Sequence, residues 1–312
     1  MKITLLGGGG FIGSAIADRL LLEGHIVTIF DRPRAQPYRA FGEGGQVKWI
    51  HGDMLSRYDV EHAVDGADVV LHLVSTTIPK SSNEDPIYDV ESNLIPALHL
   101  FRTLAERRIG KIVFISSGGT IYGHPSYIPI DEKHPTNPLV SYGITKLAIE
   151  KYLVMYQHIH GVKAISLRVS NPFGERQRME TGQGAVGVFL HRALRNLPIE
   201  IWGDGSVIRD YLYIGDVADA FAKAVRYDGP ESVFNIGSGT GTSLTELVRI
   251  IGKKLGREVR CEFKMGRAID VPVNVLDNSL AARELGWRPE IGLDEGIERT
   301  LNWMRMNPAM IP

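Results

Sequence analysis

The chain has 312 residues, of which 44% are hydrophobic, 23% charged and 8% aromatic, a balance that excludes disordered, collagen-like and low-complexity scaffolds. Thirty-five Lys plus Arg against 36 Asp plus Glu leave a formal charge of −1, so no global field favours nucleic acid or an acidic membrane surface. The single cysteine, Cys261, excludes an intramolecular disulfide and a cysteine metal cluster and fits a reducing cytoplasm, and no segment approaches a membrane span.

In chain order, short apolar runs at 3–6, 26–30, 47–50, 69–73, 112–115 and 164–169 predict strands buried on both faces. Apolar positions at helical spacing predict helices over 11–23, 89–107 and 141–159. This strand-helix alternation predicts an α/β fold, a Rossmann-type doubly wound parallel sheet. After Val169, loops rich in Gly, Pro and Asn alternate with shorter helices near 184–195, 215–227, 243–255 and 292–305. They predict a second, smaller mixed α/β lobe across a cleft. Residues 1–170 with roughly 207–237 are assigned to the sheet domain, and 171–206 with 238–312 to a substrate-binding lobe.

The first predicted strand runs into Gly7, Gly8, Gly9, Gly10, Phe11, Ile12 and Gly13, a G-x-x-G-x-x-G pattern that opens a helix. Such a turn lets the backbone approach a pyrophosphate at a helix N-terminus. Asp31 follows Gly13 by 18 residues, at the end of the second strand, where a carboxylate can accept from both ribose hydroxyls of an adenosine. A 2′-phosphate would meet that carboxylate unfavourably, so NAD is preferred to NADP, although Arg32 and Arg34 stand close enough in sequence to neutralise one. Asp53, after the third strand, is placed either to accept from the adenine amino group or to cap a helix.

Tyr142 and Lys146 share one face of the helix 141–159, one turn apart, and follow Ser116 and Ser117 at the end of a strand. A phenol of pKa about 10 needs nearby positive charge to act as a base near neutrality. Lys146 and an oxidised nicotinamide supply it, which points to proton removal from a hydroxyl coupled to hydride transfer from the same carbon.

Together these residues resemble the extended short-chain dehydrogenase/reductase family, in particular nucleotide-sugar 4-epimerases of the UDP-galactose 4-epimerase type. The resemblance runs nearly end to end, through Ser116-Ser117-Gly118-Gly119-Thr120-Ile121-Tyr122-Gly123, Leu167-Arg168-Val169-Ser170-Asn171-Pro172-Phe173-Gly174, Trp202-Gly203-Asp204-Gly205, Arg209-Asp210-Tyr211, and Arg267 with Asp270. It implies that Tyr142 is the general base and that Lys146 grips the nicotinamide ribose. It adds Phe11, Ile12, Arg32, Met54, Leu73, Asn93 and Ser116 to the cofactor site of Gly7, Gly10, Gly13, Asp31 and Asp53. Arg209 and Arg267 are expected to clamp the substrate diphosphate, a role suited to guanidinium geometry. Asn171 either touches the sugar or its phosphate or caps a loop, and Asp270 and Asn274 complete the expected substrate site.

The resemblance departs at Gly118, where the family carries a catalytic Ser or Thr; Ser117 or Thr120 is the alternative source of that hydroxyl. Leu6 replaces a usual Thr, and Pro96-Ala97 a usual Gly-Thr. Related 4,6-dehydratases carry Asp-Glu where Gly119 and Thr120 stand, so dehydration lacks its acid and base. Asn274 stands where the family has a residue gating sugar size, and its small side chain implies that a UDP-N-acetylhexosamine is tolerated alongside UDP-hexoses. A 4-keto reductase, another nucleotide-sugar epimerase and a non-catalytic NAD sensor are the alternatives. Apolar positions on 89–107 and 141–159 exceed what one sheet face can bury, and relatives pair these helices in a homodimer. No ligand spacing links His72, His124 and His134, so no metal is expected.

Overall fold

A computed structural model describes residues 1–41, 45–177, 184–266 and 271–308. In the first half, β1 (Lys2–Leu6), α1 (Phe11–Leu22), β2 (Ile26–Asp31), β3 (Val47–His51), α2 (Arg57–Val64) and β4 (Val69–His72) are followed by two short helices, α3 (Pro79–Glu84) and α4 (Pro86–Asp89). A π-helical turn, Val90–Leu94, leads into α5 (Ile95–Glu106), β5 (Lys111–Ser117), α6 (Ser141–His160) and β6 (Lys163–Val169). In the second half come β7 (Asn171–Phe173), α7 (Ala185–Leu194), β8 (Ile199–Trp202), β9 (Ile208–Tyr213), α8 (Ile214–Arg226), β10 (Val233–Ile236) and β11 (Gly241–Ser243). The chain closes with α9 (Leu244–Leu255), β12 (Cys261–Lys264), β13 (Val273–Asn274), α10 (Ser279–Glu284) and α11 (Leu293–Met306).

Seven strands form one parallel sheet in the order β3-β2-β1-β4-β5-β6-β10. Alternate side chains feed two cores. Ile3, Leu5 and Ile29 pack toward α1 and α8, while Leu6, Phe30, Val70 and Phe114 pack with residues of α2, α5 and α6. Burying each such side chain contributes about 1.5–3 kcal/mol. All six predicted strands are present, and helix 11–23 and helix 141–159 stand as α1 and α6.

The predicted helix 89–107 is not continuous: a π turn interrupts it just before Pro96. Proline brings no N–H for the carbonyl one turn back and crowds it, and the wider turn accommodates both demands. In the smaller part, β9 pairs with β7 and β13 in parallel and with β11 antiparallel, while β8 pairs with β12. Within this part α8 returns to pack on α1, and β10 joins the edge of the large sheet beside β6.

Candidate active site

Sheet register sets the site. Leu6 pairs with Phe30 on one side and His72 on the other, so Gly7, Asp31 and Leu73 emerge together at the carboxyl edge. Ser117 pairs with Val169, which pairs with Ile236, so Ser116, Ser117 and Ser170 continue that edge. The strand order reverses at β1, between β2 and β4, where open α/β sheets form their ligand crevice.

The glycine turn is built for close approach. Gly7 has φ +89°, which disfavours any side chain, and a Cβ at Gly13 would strike the Gly7 carbonyl oxygen. Gly10 is the N-cap of α1 and offers no side-chain cap, which leaves the first-turn N–H groups of Phe11, Ile12 and Gly13 aimed out of the helix. Asp31 accepts from the Gly9 N–H and the Arg32 N–H, both at 2.8 Å, and a carboxylate has further lone pairs for ribose hydroxyls. Arg32 itself is exposed. Asp53 is exposed and accepts from Leu55 N–H at 2.9 Å. The capping alternative for Asp53 fails, because Ser56 is the N-cap of α2 and accepts from Asp59 N–H. Met54 is buried, and Asn93 sits in the π turn with its Oδ1 accepting from Thr76 N–H at 2.9 Å.

Tyr142 and Lys146 lie in the first turns of α6. The Lys146 ammonium is buried, donates to the Ile115 carbonyl at 3.1 Å, and lies 5.5 Å from the centroid of the Tyr142 ring. Burial pulls its pKa down to about 8, with the carboxylates of Asp89 and Glu150 working the other way. The Tyr142 phenol is pushed up to about 12 by burial, a rise that the Ser75 hydroxyl opposes and Asp89 reinforces. Behind the pair, Arg168 grips Glu150 bidentately at 3.0 and 2.7 Å and donates to Tyr122 Oη at 2.9 Å. Tyr122 in turn donates to Asn235 Oδ1 at 2.6 Å, so one buried polar chain joins α6, β6, the loop after β5 and β10.

Of the two candidate hydroxyls, Ser117 closes a turn through its carbonyl, which accepts from Ile121 N–H at 3.2 Å. Thr120 packs against α6: a Cβ at Gly143 would lie 2.7 Å from its carbonyl oxygen. Thr120 Oγ1 and Ser116 Oγ are buried without a hydrogen-bond partner among the described residues, donors and acceptors fit for a bound dinucleotide or sugar. In the smaller part, Arg209 donates to the Val271 carbonyl at 2.6 Å, and Asn171 Nδ2 donates to the Asp210 carbonyl, the loop role open to it. Asn274 is buried on β13 and donates to the Gly118 carbonyl at 3.0 Å. Arg267 and Asp270 lie outside the described residues. Sequence reasoning missed Asp89, Ser75 and the Glu150–Arg168 pair. Arg168 carried a signal, being a guanidinium inside a run read as buried on both faces. Among the described residues no group of His, Cys, Asp or Glu could hold a metal ion, and no helix is long and apolar enough to cross a membrane.

A glycine turn at the reversal of a parallel sheet, an acid after the second strand and a tyrosine-lysine pair beyond the fifth define a short-chain dehydrogenase/reductase of the extended type. The match of residues 3–237 to the NAD dependent epimerase/dehydratase family places the chain in that family. The UDP-glucose 4-epimerase of Mycolicibacterium smegmatis is 33% identical over 98% of this chain and 99% of its own length. The dTDP-4-dehydro-6-deoxyglucose reductase of Escherichia coli is 34% identical, over 97% of each chain. Among solved structures, the UDP-glucose 4-epimerase of Thermotoga maritima with UDP-glucose superposes with a TM-score of 0.93 at 31% identity, over 99% of this chain and 100% of that one.

Proposed function

We infer that this chain is an NAD-dependent epimerase acting at C4 of a UDP-hexose or UDP-N-acetylhexosamine through a transient 4-keto sugar. The observation that carries this reading is the buried Lys146 ammonium beside the Tyr142 ring, at the edge that also presents the glycine turn and Asp31. In it, the first-turn N–H groups of α1 hold the NAD pyrophosphate, Asp31 the adenosine ribose, and Asp53, Met54, Leu73, Asn93 and Ser116 line the rest of the cofactor site. NAD, when bound, supplies a reversible hydride acceptor and a positive charge. Tyr142 takes the proton from the C4 hydroxyl and later returns it. Lys146, with a pKa of about 8, is mostly protonated at pH 7 and stabilises the phenolate. Thr120 is the hydroxyl that packing favours as Tyr142's helper, with Ser117 the alternative. Arg209, Arg267, Asp270, Asn171 and Asn274 form the nucleotide-sugar side.

Residues 1–170 with roughly 207–237 make the cofactor domain in this proposal, and 171–206 with 238–312 the substrate lobe. Exposed apolar side chains on consecutive helices, Ile87, Tyr88, Ile95, Ile144, Val154 and Ile159, support a homodimer built on α4, α5 and α6. The free thiol of Cys261 fits a cytoplasmic setting.

The similarity to the Escherichia coli reductase favours one second reading, reduction of a nucleotide 4-keto sugar. Absorbance at 340 nm separates the two. An epimerase converts UDP-glucose with no net NADH change, whereas a reductase oxidises NADH stoichiometrically when given a 4-keto sugar. Turnover of UDP-glucose with none of UDP-N-acetylglucosamine would overturn the expected tolerance of the N-acetyl group.

A further inference from the structure

Asp89 is fully buried at the start of the π turn and collects four side-chain donors. Its Oδ1 accepts from Thr77 Oγ1 and from Asn93 Nδ2 at 3.1 Å, and its Oδ2 from Ser141 Oγ at 2.8 Å and Thr145 Oγ1 at 2.7 Å. Three separate segments therefore meet on one carboxylate: the loop after β4, the π turn and the first turns of α6. Ser141 and Thr145 are each the residue immediately before a member of the Tyr142/Lys146 pair.

The start of α6 depends on such outside help. Its N-cap is Val140, which has no side-chain acceptor, and the first two N–H groups are taken by Asn83 Oδ1 at 2.9 Å and Ser82 Oγ at 3.0 Å. A buried negative charge at this end also complements the helix dipole. We propose that Asp89 is a positioning residue for the C4 reaction, fixing the first turns of α6 so that Tyr142 and Lys146 face the cofactor and sugar at one geometry. This rests on the assignment of Tyr142 as the base.

The charge of Asp89 acts alongside its geometry. Asp89 acts on Tyr142 and Lys146 of α6; around Lys146, α6 also contributes Glu150, held by Arg168 of β6, and β4 contributes His72, whose pKa the Lys146 charge lowers. The charged side chains of α3, of the N-cap of α4 and of the π turn, Lys80, Glu84, Asp85 and Glu91, are exposed. Removing the Asp89 charge makes both Tyr142 and Lys146 easier to deprotonate, so both limbs of the pH–rate profile move to lower pH.

Four variants test the proposal: Asp89→Asn, Ser141→Ala, Thr145→Ala and Tyr142→Phe. Asp89→Asn is expected to lower kcat by about tenfold or more while KM for UDP-glucose stays within about threefold, since misplacement of a reacting group by an ångström costs rate rather than binding. Its pH–rate limbs move acidward, and in the cofactor-free protein Lys146 titrates at lower pH by side-chain NMR. The two single-hydroxyl variants fold with melting temperatures near wild type and lose kcat in the same direction by less. Wild-type kcat in Asp89→Asn, or a loss that tracks melting temperature across the variants with the pH profile unmoved, overturns the proposal. If Tyr142→Phe keeps turnover, the base assignment fails instead; if Tyr142→Phe is inactive and Asp89→Asn is not, the positioning role alone fails.

Discussion

A Cβ added at Gly118 would lie 2.5 Å from Leu276 Cδ1 and 3.0 Å from the Arg168 carbonyl oxygen, so Leu276 fills the space a side chain at 118 would need. The two segments are also tied by Asn274, which donates to the Gly118 carbonyl. Glycine here is thus part of how the smaller part of the fold seats on the loop after β5. Placing a hydroxyl at this position by Gly118→Ser is expected to destabilise the protein by about 1–3 kcal/mol through overpacking and to lower activity. Leu276→Ala in the same chain should recover part of both, as read by urea unfolding and by turnover of UDP-glucose.

Tyr142→Phe keeps the ring and removes the hydroxyl proposed to carry the proton. Its kcat should fall by about 10²–10⁴, while NAD affinity measured by calorimetry stays within a few-fold of wild type. In the same assay, Thr120→Ala is expected to cost more kcat than Ser117→Ala. The reverse order would hand the helper role to Ser117.

Glu150 and Arg168 have side chains only 3% and 5% exposed, so neither is solvated if the other is lost. Glu150→Gln leaves a buried guanidinium without its counter-charge and is expected to cost about 3–5 kcal/mol of stability. Urea unfolding measures it directly, and a loss below about 1 kcal/mol would place the pair in the class of solvent-screened bridges.

His72 is buried beside Phe114, with ring centroids 5.5 Å apart, and burial together with the Lys146 charge pulls its pKa down to about 3. Below its unfolded value near 6.5 the unfolded chain binds a proton that the folded chain refuses, so stability falls as pH drops from 6.5 toward 3. At pH 4.5 this loss amounts to about 3 kcal/mol relative to neutrality. Chemical denaturation of wild type and His72→Gln at pH 7 and pH 4.5 should show the larger acid loss in wild type; equal losses would contradict it.

The inner strands of the large sheet were legible because they are buried on both faces and read as continuous apolar runs, such as 69–73 and 112–115; β3, expected to be buried on both faces, is a half-exposed edge strand, and β10 at the other edge, four residues long with Asn235 in it, was not read. The strands of the smaller part were not, since β7, β11 and β13 span three, three and two residues, too short for any periodicity. The cofactor turn and Asp31 could be read because their chemistry is local in sequence. Asp89 could not: beside Asp85 and Glu91 it reads as solvated helix surface, and its burial comes from Thr77, Ser141 and Thr145, brought to it only by folding. Pro96 was visible, but its effect on the helix around Asn93 depended on the wider turn that the packing permits.

The proposed C4 epimerisation is tested most directly by proton NMR of the purified protein with UDP-glucose and NAD, following the anomeric region over hours. C4 epimerisation should give a growing anomeric signal of UDP-galactose, approach to a fixed ratio of the two sugars, and no net NADH. Unchanged UDP-glucose from a protein that still binds NAD would contradict it.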